Sequence, residues 1–223
     1  MNTAPAPWSL RGDGYMIFYK FSREFVEKLG FVPPELAGKF DGYLGSVMLV
    51  KYQSSPVGPY RELLFIPGKF KLDGKNGINN RPQSITKIYV NSAQSTANGR
   101  ENWGIPKETV IFRRNLVEKN FISGDTECIE LLDAAGEPFF SITLRAFGLS
   151  FPISTALMPI HLMQNLNEKT FFTTPSGKGK GQLATIKDIQ VNPEYFPDIA
   201  QATPLMVVKV SNFTMEFPAA TIL

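Results

Sequence analysis

The 223 residues suffice for one large domain or two small ones, and β-barrels or sandwiches of this length form as one. Phe, Gly and Pro are abundant at 18, 18 and 17 residues; aromatic residues suit pleated, half-buried surfaces and Gly and Pro punctuate many short segments, which argues against a helix bundle. The net charge of +3 is scattered except at Arg113-Arg114 and Lys178-Gly179-Lys180, which excludes a nucleic-acid groove, while one cysteine, Cys128, and one histidine, His161, exclude an internal disulfide, a cysteine zinc site and the HExxH pattern.

The chain opens on Met1-Asn2-Thr3-Ala4-Pro5-Ala6-Pro7-Trp8, without the charged start and apolar run of a signal peptide, so a cytoplasmic protein is expected. A strand is predicted over 14–21, then a helix from Ser22 to Leu29 stopped by Gly30, and a turn near Pro34-Glu35-Leu36. Strands follow at 45–52, 62–70 and 85–90, a helix at 95–103, and strands at 109–113 and 128–132. Cys128 is expected as a small core residue. Asp133-Ala134-Ala135-Gly136 reads as a hairpin turn into 139–147, where Ile142-Thr143-Leu144-Arg145-Ala146-Phe147 alternates as a half-buried strand does. The apolar window 149–163 is interrupted by Pro152, Ser154, Thr155, Pro159 and His161 and is too short to cross a bilayer, so no membrane association is expected. The glycine-lysine run 176–181 opens no helix, which rules out a phosphate-binding P-loop and predicts a flexible hairpin. Strands at 181–191 and 205–217 bring the total to about nine, a barrel or sandwich number, with few helices: mainly β, α+β by content. No repeat or linker divides residues 1–223, so a single domain is expected.

The chemistry points to Gly99-Arg100-Glu101-Asn102-Trp103-Gly104-Ile105-Pro106-Lys107-Glu108. Gly104 breaks a short helix, Pro106 forces Ile105 to be extended, and Lys107 is fixed at the entrance of a strand. On its own, a lysine there is ordinarily a solvated charge. However, Gly99-Arg100-Glu101 with Pro106-Lys107, preceded by Gly58-Pro59-Tyr60-Arg61-Glu62 and by Ile66-Pro67-Gly68, resembles the acetoacetate decarboxylase family over roughly residues 14 to 217.

The resemblance implies a closed, cone-like, mostly antiparallel β-barrel whose interior holds the site, in a homo-oligomer, with a small-molecule carbonyl substrate and no metal or other cofactor. It makes Lys107 the Schiff-base lysine and Glu62 the active-site glutamate, and it suggests substrate contacts for Tyr60, Arg61, Arg100, Trp103 and Arg11. The chain departs from the family pattern in three places: Glu108 stands where the characterised decarboxylases carry a second lysine, Val47 stands at a further acidic position, and Arg11 matches their N-terminal arginine only after a gap. Neighbours on a strand face opposite ways, so Glu108 is expected to look away from Lys107.

A free lysine is uncharged in only about one molecule in 2,500 at pH 7, so a nucleophilic Lys107 needs its pKa lowered by about 3 to 4 units, roughly 4 to 5 kcal/mol. Burial or a second cation does this, as is known for acetoacetate decarboxylase. With Glu108 in place of the second lysine, desolvation by neighbours such as Trp103 or Phe112 would have to supply the shift. Glu62 would shuttle protons, and the alternative for it is a strand residue paired with Arg61 or another base. Three activities remain open: decarboxylation of a β-keto acid, Schiff-base aldol or dehydratase chemistry on a larger, secondary-metabolite carbonyl compound, and non-catalytic binding of an apolar ligand with Lys107 as counter-ion.

Overall fold

Alternation of side chains along the early strands explains why the molecule has two cores. In Trp8–Tyr19 (β1), Trp8 and Leu10 are buried while Ser9 and Arg11 are exposed, and beyond a register shift between Gly12 and Gly14 both faces of the strand are covered. The computed structural model describes residues 3–72, 81–118 and 125–223. After β1 come the helix Arg23–Leu29 (α1) and strands Gly45–Ser54 (β2), Tyr60–Ile66 (β3) and Lys87–Val90 (β4). The helix Ala93–Trp103 (α2) follows, then Lys107–Thr109 (β5), Ile111–Glu118 (β6), Thr126–Leu132 (β7) and Pro138–Ser154 (β8). Leu162–Leu166 (β9), Lys169–Thr173 (β10), Ser176–Val191 (β11), Met206–Phe217 (β12) and Thr221–Ile222 (β13) complete the chain.

Ten strands form one sheet in the order β5-β4-β3-β2-β1-β12-β11-β8-β7-β6, and β13-β10-β9 form a small second sheet. All neighbours in the large sheet are antiparallel except β4 and β5, which α2 joins as a parallel crossover. The two edge strands, β5 and β6, are separated by Val110 alone, whose N–H donates to the Val90 carbonyl at 2.9 Å. The sheet must therefore curl until its edges meet, giving the mainly β, cone-like, nearly closed barrel expected. Strands around the whole circumference turn Ile17, Leu49, Leu63, Leu131, Ile142 and Ala184 into a first core. On the opposite face of β1 to β4 and β12, a second core of Leu10, Met48, Leu64, Ile88, Trp103 and Val208 is closed by α2, the N-terminal segment and β9.

Both helices start on serine caps. Ser22 Oγ accepts from the Phe25 N–H at 3.1 Å and Gly30 ends α1 as predicted, whereas Ser92 caps α2, which begins at Ala93, two residues before the expected start. Three predictions in the second half are corrected. The run 176–181 is the first part of β11, hydrogen-bonded between β12 and β8, rather than a hairpin. Its glycines serve close approach: a Cβ on Gly179 would lie 2.9 Å from the Phe213 Cβ and one on Gly181 2.7 Å from the Phe151 ring, with Lys178 and Lys180 alternating outward into solvent. Strand 139–147 in turn extends to Ser154 as β8, because a register shift between Gln182 and Ala184 absorbs Gly148 in a left-handed conformation and lets Pro152 continue the strand. Cys128 is half-buried on β7 instead of lying in the core. No helix among the described residues is long and apolar enough to cross a membrane.

Candidate active site

The site is built where α2 crosses the second face of the sheet. Ser95, Gly99 and Trp103 recur at four-residue spacing along α2, so they share the face turned to the strands, and all three are buried. Gly104, left-handed with φ 64°, ends the helix by donating its N–H to the Arg100 carbonyl, and Ile105-Pro106 lead into β5, where Lys107 pairs with Ile88 of β4. The Lys107 side chain runs back across the helix at Gly99. A Cβ there would sit 2.8 and 2.9 Å from the lysine Cδ and Cε, so only glycine leaves room for this path.

At the end of that path Lys107 Nζ donates to Glu62 Oε2 at 2.9 Å and to Ser95 Oγ at 3.0 Å. Glu62 comes from the middle of β3, and its Oε1 accepts from the Tyr52 hydroxyl at 3.2 Å. The Tyr60 ring lies 5.0 Å from Nζ. Lys107 and Glu62 are only 4% and 3% exposed, so the pair is out of bulk solvent. Beside it lies a cavity of about 70 Å³ bordered by Tyr52, Tyr60, Glu62, Trp103 and Lys107, with apolar side chains for the rest of its wall. Trp103 is held in place edge-on to Trp8 and Phe217 and donates its indole N–H to the Pro218 carbonyl at 2.6 Å.

Burial pushes the Lys107 ammonium down, but the Glu62 carboxylate, with Tyr60, outweighs burial and holds the group above the ordinary lysine value. The expected lowering by desolvation is therefore present and overridden. Burial drives the Tyr60 phenol up to about 12, with Lys107 opposing and Glu62 reinforcing it, and it drives Tyr52 well above its usual value with Glu62 adding to the effect. Both phenols stay protonated at neutral pH and remain hydrogen-bond donors.

Lys107, Glu62, Tyr60 and Trp103 thus meet as the sequence suggested, and Glu62 is paired with Lys107 rather than with Arg61. Arg100 acts from behind, its Nε donating to the Lys107 carbonyl at 2.9 Å. Arg61 lies next to Glu62 on an extended strand and turns to the other face, where Nη1 reaches the Phe112 carbonyl at 3.4 Å. Phe112 packs against the barrel core and does not desolvate Lys107. Arg11 is exposed on β1 and does not border the cavity. Val47 belongs to the barrel core; the residue standing directly across from Glu62 on β2 is Val50. Glu108 looks outward and pairs with Lys87 at 2.6 Å, as alternation requires. The pair sits on the sheet face opposite the barrel core, in place of the barrel interior that the resemblance implied. Ser95, Gly99 and Tyr52 escaped the sequence reading, although the spacing of 95, 99 and 103 marked a helix face.

This architecture is the acetoacetate decarboxylase-like fold, which bears out at the level of the fold the resemblance carried by the Pro-Lys and Arg-Glu motifs. The acetoacetate decarboxylase of Legionella pneumophila superposes with a TM-score of 0.72 at 13% identity, over 100% of this chain and 90% of that one. The enduracididine biosynthesis enzyme MppR superposes with a TM-score of 0.68 at 14% identity, over 99% of this chain and 88% of that one. MppR is also known in complex with the condensation product of pyruvate and imidazole 4-carboxaldehyde. Among curated proteins, Protein NEOXANTHIN-DEFICIENT 1 of Oryza sativa subsp. japonica is 30% identical over 111 residues, a match spanning 48% of this chain and 33% of that protein. No family model matches the chain.

Proposed function

We propose that the chain is a Schiff-base enzyme in which Lys107 attacks the carbonyl carbon of a small-molecule substrate and Glu62 moves the protons. The observation that carries this reading is a buried lysine nitrogen 2.9 Å from a buried carboxylate, beside a mostly apolar cavity. At rest the amine is an ammonium ion held by Glu62. When a carbonyl compound replaces cavity water, the proton passes along the existing hydrogen bond to Glu62 and leaves a neutral amine, without release of a proton to solvent. The nitrogen then bonds to the carbonyl carbon, the π electrons move to oxygen, and Glu62 returns the proton there. A second proton leaves nitrogen by the same route and departs with that oxygen as water. Ammonium and carbonyl have become iminium and water, and charge is conserved at every stage. The iminium inherits the place of the ammonium beside the ionised Glu62, so the carboxylate that opposes deprotonation stabilises the product cation.

The iminium is an electron sink from which either carbon dioxide or an α-proton can leave to give an enamine. Aldol or dehydration chemistry on a larger carbonyl compound is favoured by one feature: Lys107 is the only cation bordering the cavity among the described residues, so nothing there would hold a substrate carboxylate. The condensation product bound by the similarly folded MppR supports the same preference. Borohydride with a neutral ketone should fix the reduced ketone on Lys107, read by peptide mass, and recovery of unmodified Lys107 would overturn the proposal. Release of carbon dioxide from acetoacetate, lost in Lys107→Ala, would return the reading to decarboxylation.

A further inference from the structure

The lysine cavity is too small to be the whole binding site. Its volume of about 70 Å³ falls well short of the roughly 300 Å³ at which small-molecule sites begin, room for a carbonyl group and little more. A much larger hollow of about 440 Å³ lies on the same face of the sheet, within the range of about 300 to 1,000 Å³ that small-molecule sites occupy. The two share Met48, Val50, Ile160 and Met215 as common walls. From that partition the hollow runs over Met16 and Phe18 of β1 and Val208 of β12, beneath Phe151 of β8 and Leu157 in the turn that follows. Among the described residues, Lys178 is the only charged one on its border.

Resting on the Schiff-base reading, we infer that the substrate is a neutral aldehyde or ketone with an extended apolar chain, the carbonyl entering between Met48 and Met215 to reach Lys107 and the chain lying in the hollow. Three observations converge on this class. The head site admits only a few heavy atoms, and the adjoining hollow is mostly apolar, with Ser154, Thr155, Thr214 and Lys178 as the polar exceptions on its border. None of Arg11, Arg61 and Arg100 borders the lysine cavity, so an acidic head group would enter beside the buried Glu62 carboxylate without an arginine to pair with. Leu157, Met206 and Phe151 border the hollow and are 87%, 44% and 38% exposed, an apolar patch of the kind that a bound apolar chain covers. Two methionines at the doorway are flexible enough to let a chain pass and then close on it.

The test uses the full chain and a series of 2-alkanones from acetone to 2-undecanone, with acetoacetate for comparison. Borohydride trapping on Lys107 is read by mass at graded ligand concentrations, and binding without chemistry is read in Lys107→Ala from the fluorescence of Trp8 and Trp103, which border the lysine cavity. Each added methylene should lower the half-saturating concentration about threefold to fourfold until the hollow is full. Val208→Trp, which fills the hollow, should flatten this dependence, and Leu157→Glu at an exposed position that folding does not need should weaken it. Equal half-saturation along the series, or a preference for acetone and acetoacetate, would overturn the inference while leaving the Schiff-base reading intact. Graded binding in Lys107→Ala with no trapping of any ketone would support the hollow and sink the imine. A change of oligomeric state in Val208→Trp with the gradient unchanged would assign the hollow to subunit packing and overturn the inference.

Discussion

Two buried carboxylates, Glu62 and Glu127, sit on opposite faces of the same sheet and behave in opposite ways. Glu127 on β7 is held by Arg114 and by Lys209, the latter at 3.1 Å. Burial pushes its carboxyl up, but Arg114 first and Lys209 second outweigh burial and hold it below the ordinary carboxylate range. An arginine gives up no proton, so Arg114 holds Glu127 without being able to exchange one with it. Glu62 has one lysine, a phenol donor and an open cavity beside it. Two cations around one carboxylate make a fixed brace, whereas one lysine and one carboxylate beside a cavity form the pair whose proton exchange with a guest is proposed above.

The largest effect expected from breaking the contrast is at Lys107. Lys107→Met removes all trapping and leaves Glu62 buried without its partner, which should cost about 3 to 5 kcal/mol in urea unfolding at neutral pH. Lys107→Met combined with Glu62→Gln should recover most of that stability and none of the trapping. Gly99→Ala drives a methyl into the lysine stem and should slow trapping about a hundredfold, the cost of displacing a reacting group by about 1 Å, with the barrel still folded by circular dichroism.

The brace and the reactive pair should also separate in pH. The folded-state pKa of Glu127 is lowered, so its contribution to stability is present above the ordinary carboxylate value and lost as pH falls through the lowered one. That of Lys107 is raised, so its contribution is present below the ordinary lysine value and lost as pH rises through the raised one. Glu127→Gln should therefore flatten the acid limb of the stability curve, lowering neutral stability by about 1 to 3 kcal/mol without slowing trapping. Smallest of all is Glu108→Lys. Because this side chain faces solvent and pairs with Lys87, stability should move within about 1 kcal/mol and the pH profile of trapping should not move, although the change restores the decarboxylases' double lysine.

Local motifs made Lys107 and Glu62 legible, since a helix stop, a proline and a strand start fix the lysine and a short pattern marks the glutamate. The rule that sent Glu108 outward applies equally to Arg61, which stands beside Glu62 and so cannot share its face; that step was available from the sequence. Arg11, Val47 and Val50 depend on strand register, which only the pairing of β1, β2 and β3 settles. The barrel was legible as a number of strands. The full lengths of β8 and β11 were not, because Gly148, Pro152 and the alternating glycines of β11 carry the same local signals whether they end a strand or let two strands bend together.

The central claim is that Glu62 holds the proton Lys107 must lose. Replacing it with glutamine removes the larger of the two influences that raise the amine and leaves burial opposed by Tyr60 alone, so the midpoint of ketone trapping against pH should fall in Glu62→Gln while turnover of any true substrate slows about 10² to 10⁴-fold for want of a proton carrier. A midpoint that stays in place or rises would show that the carboxylate does not govern the amine, and the account of the site would fail.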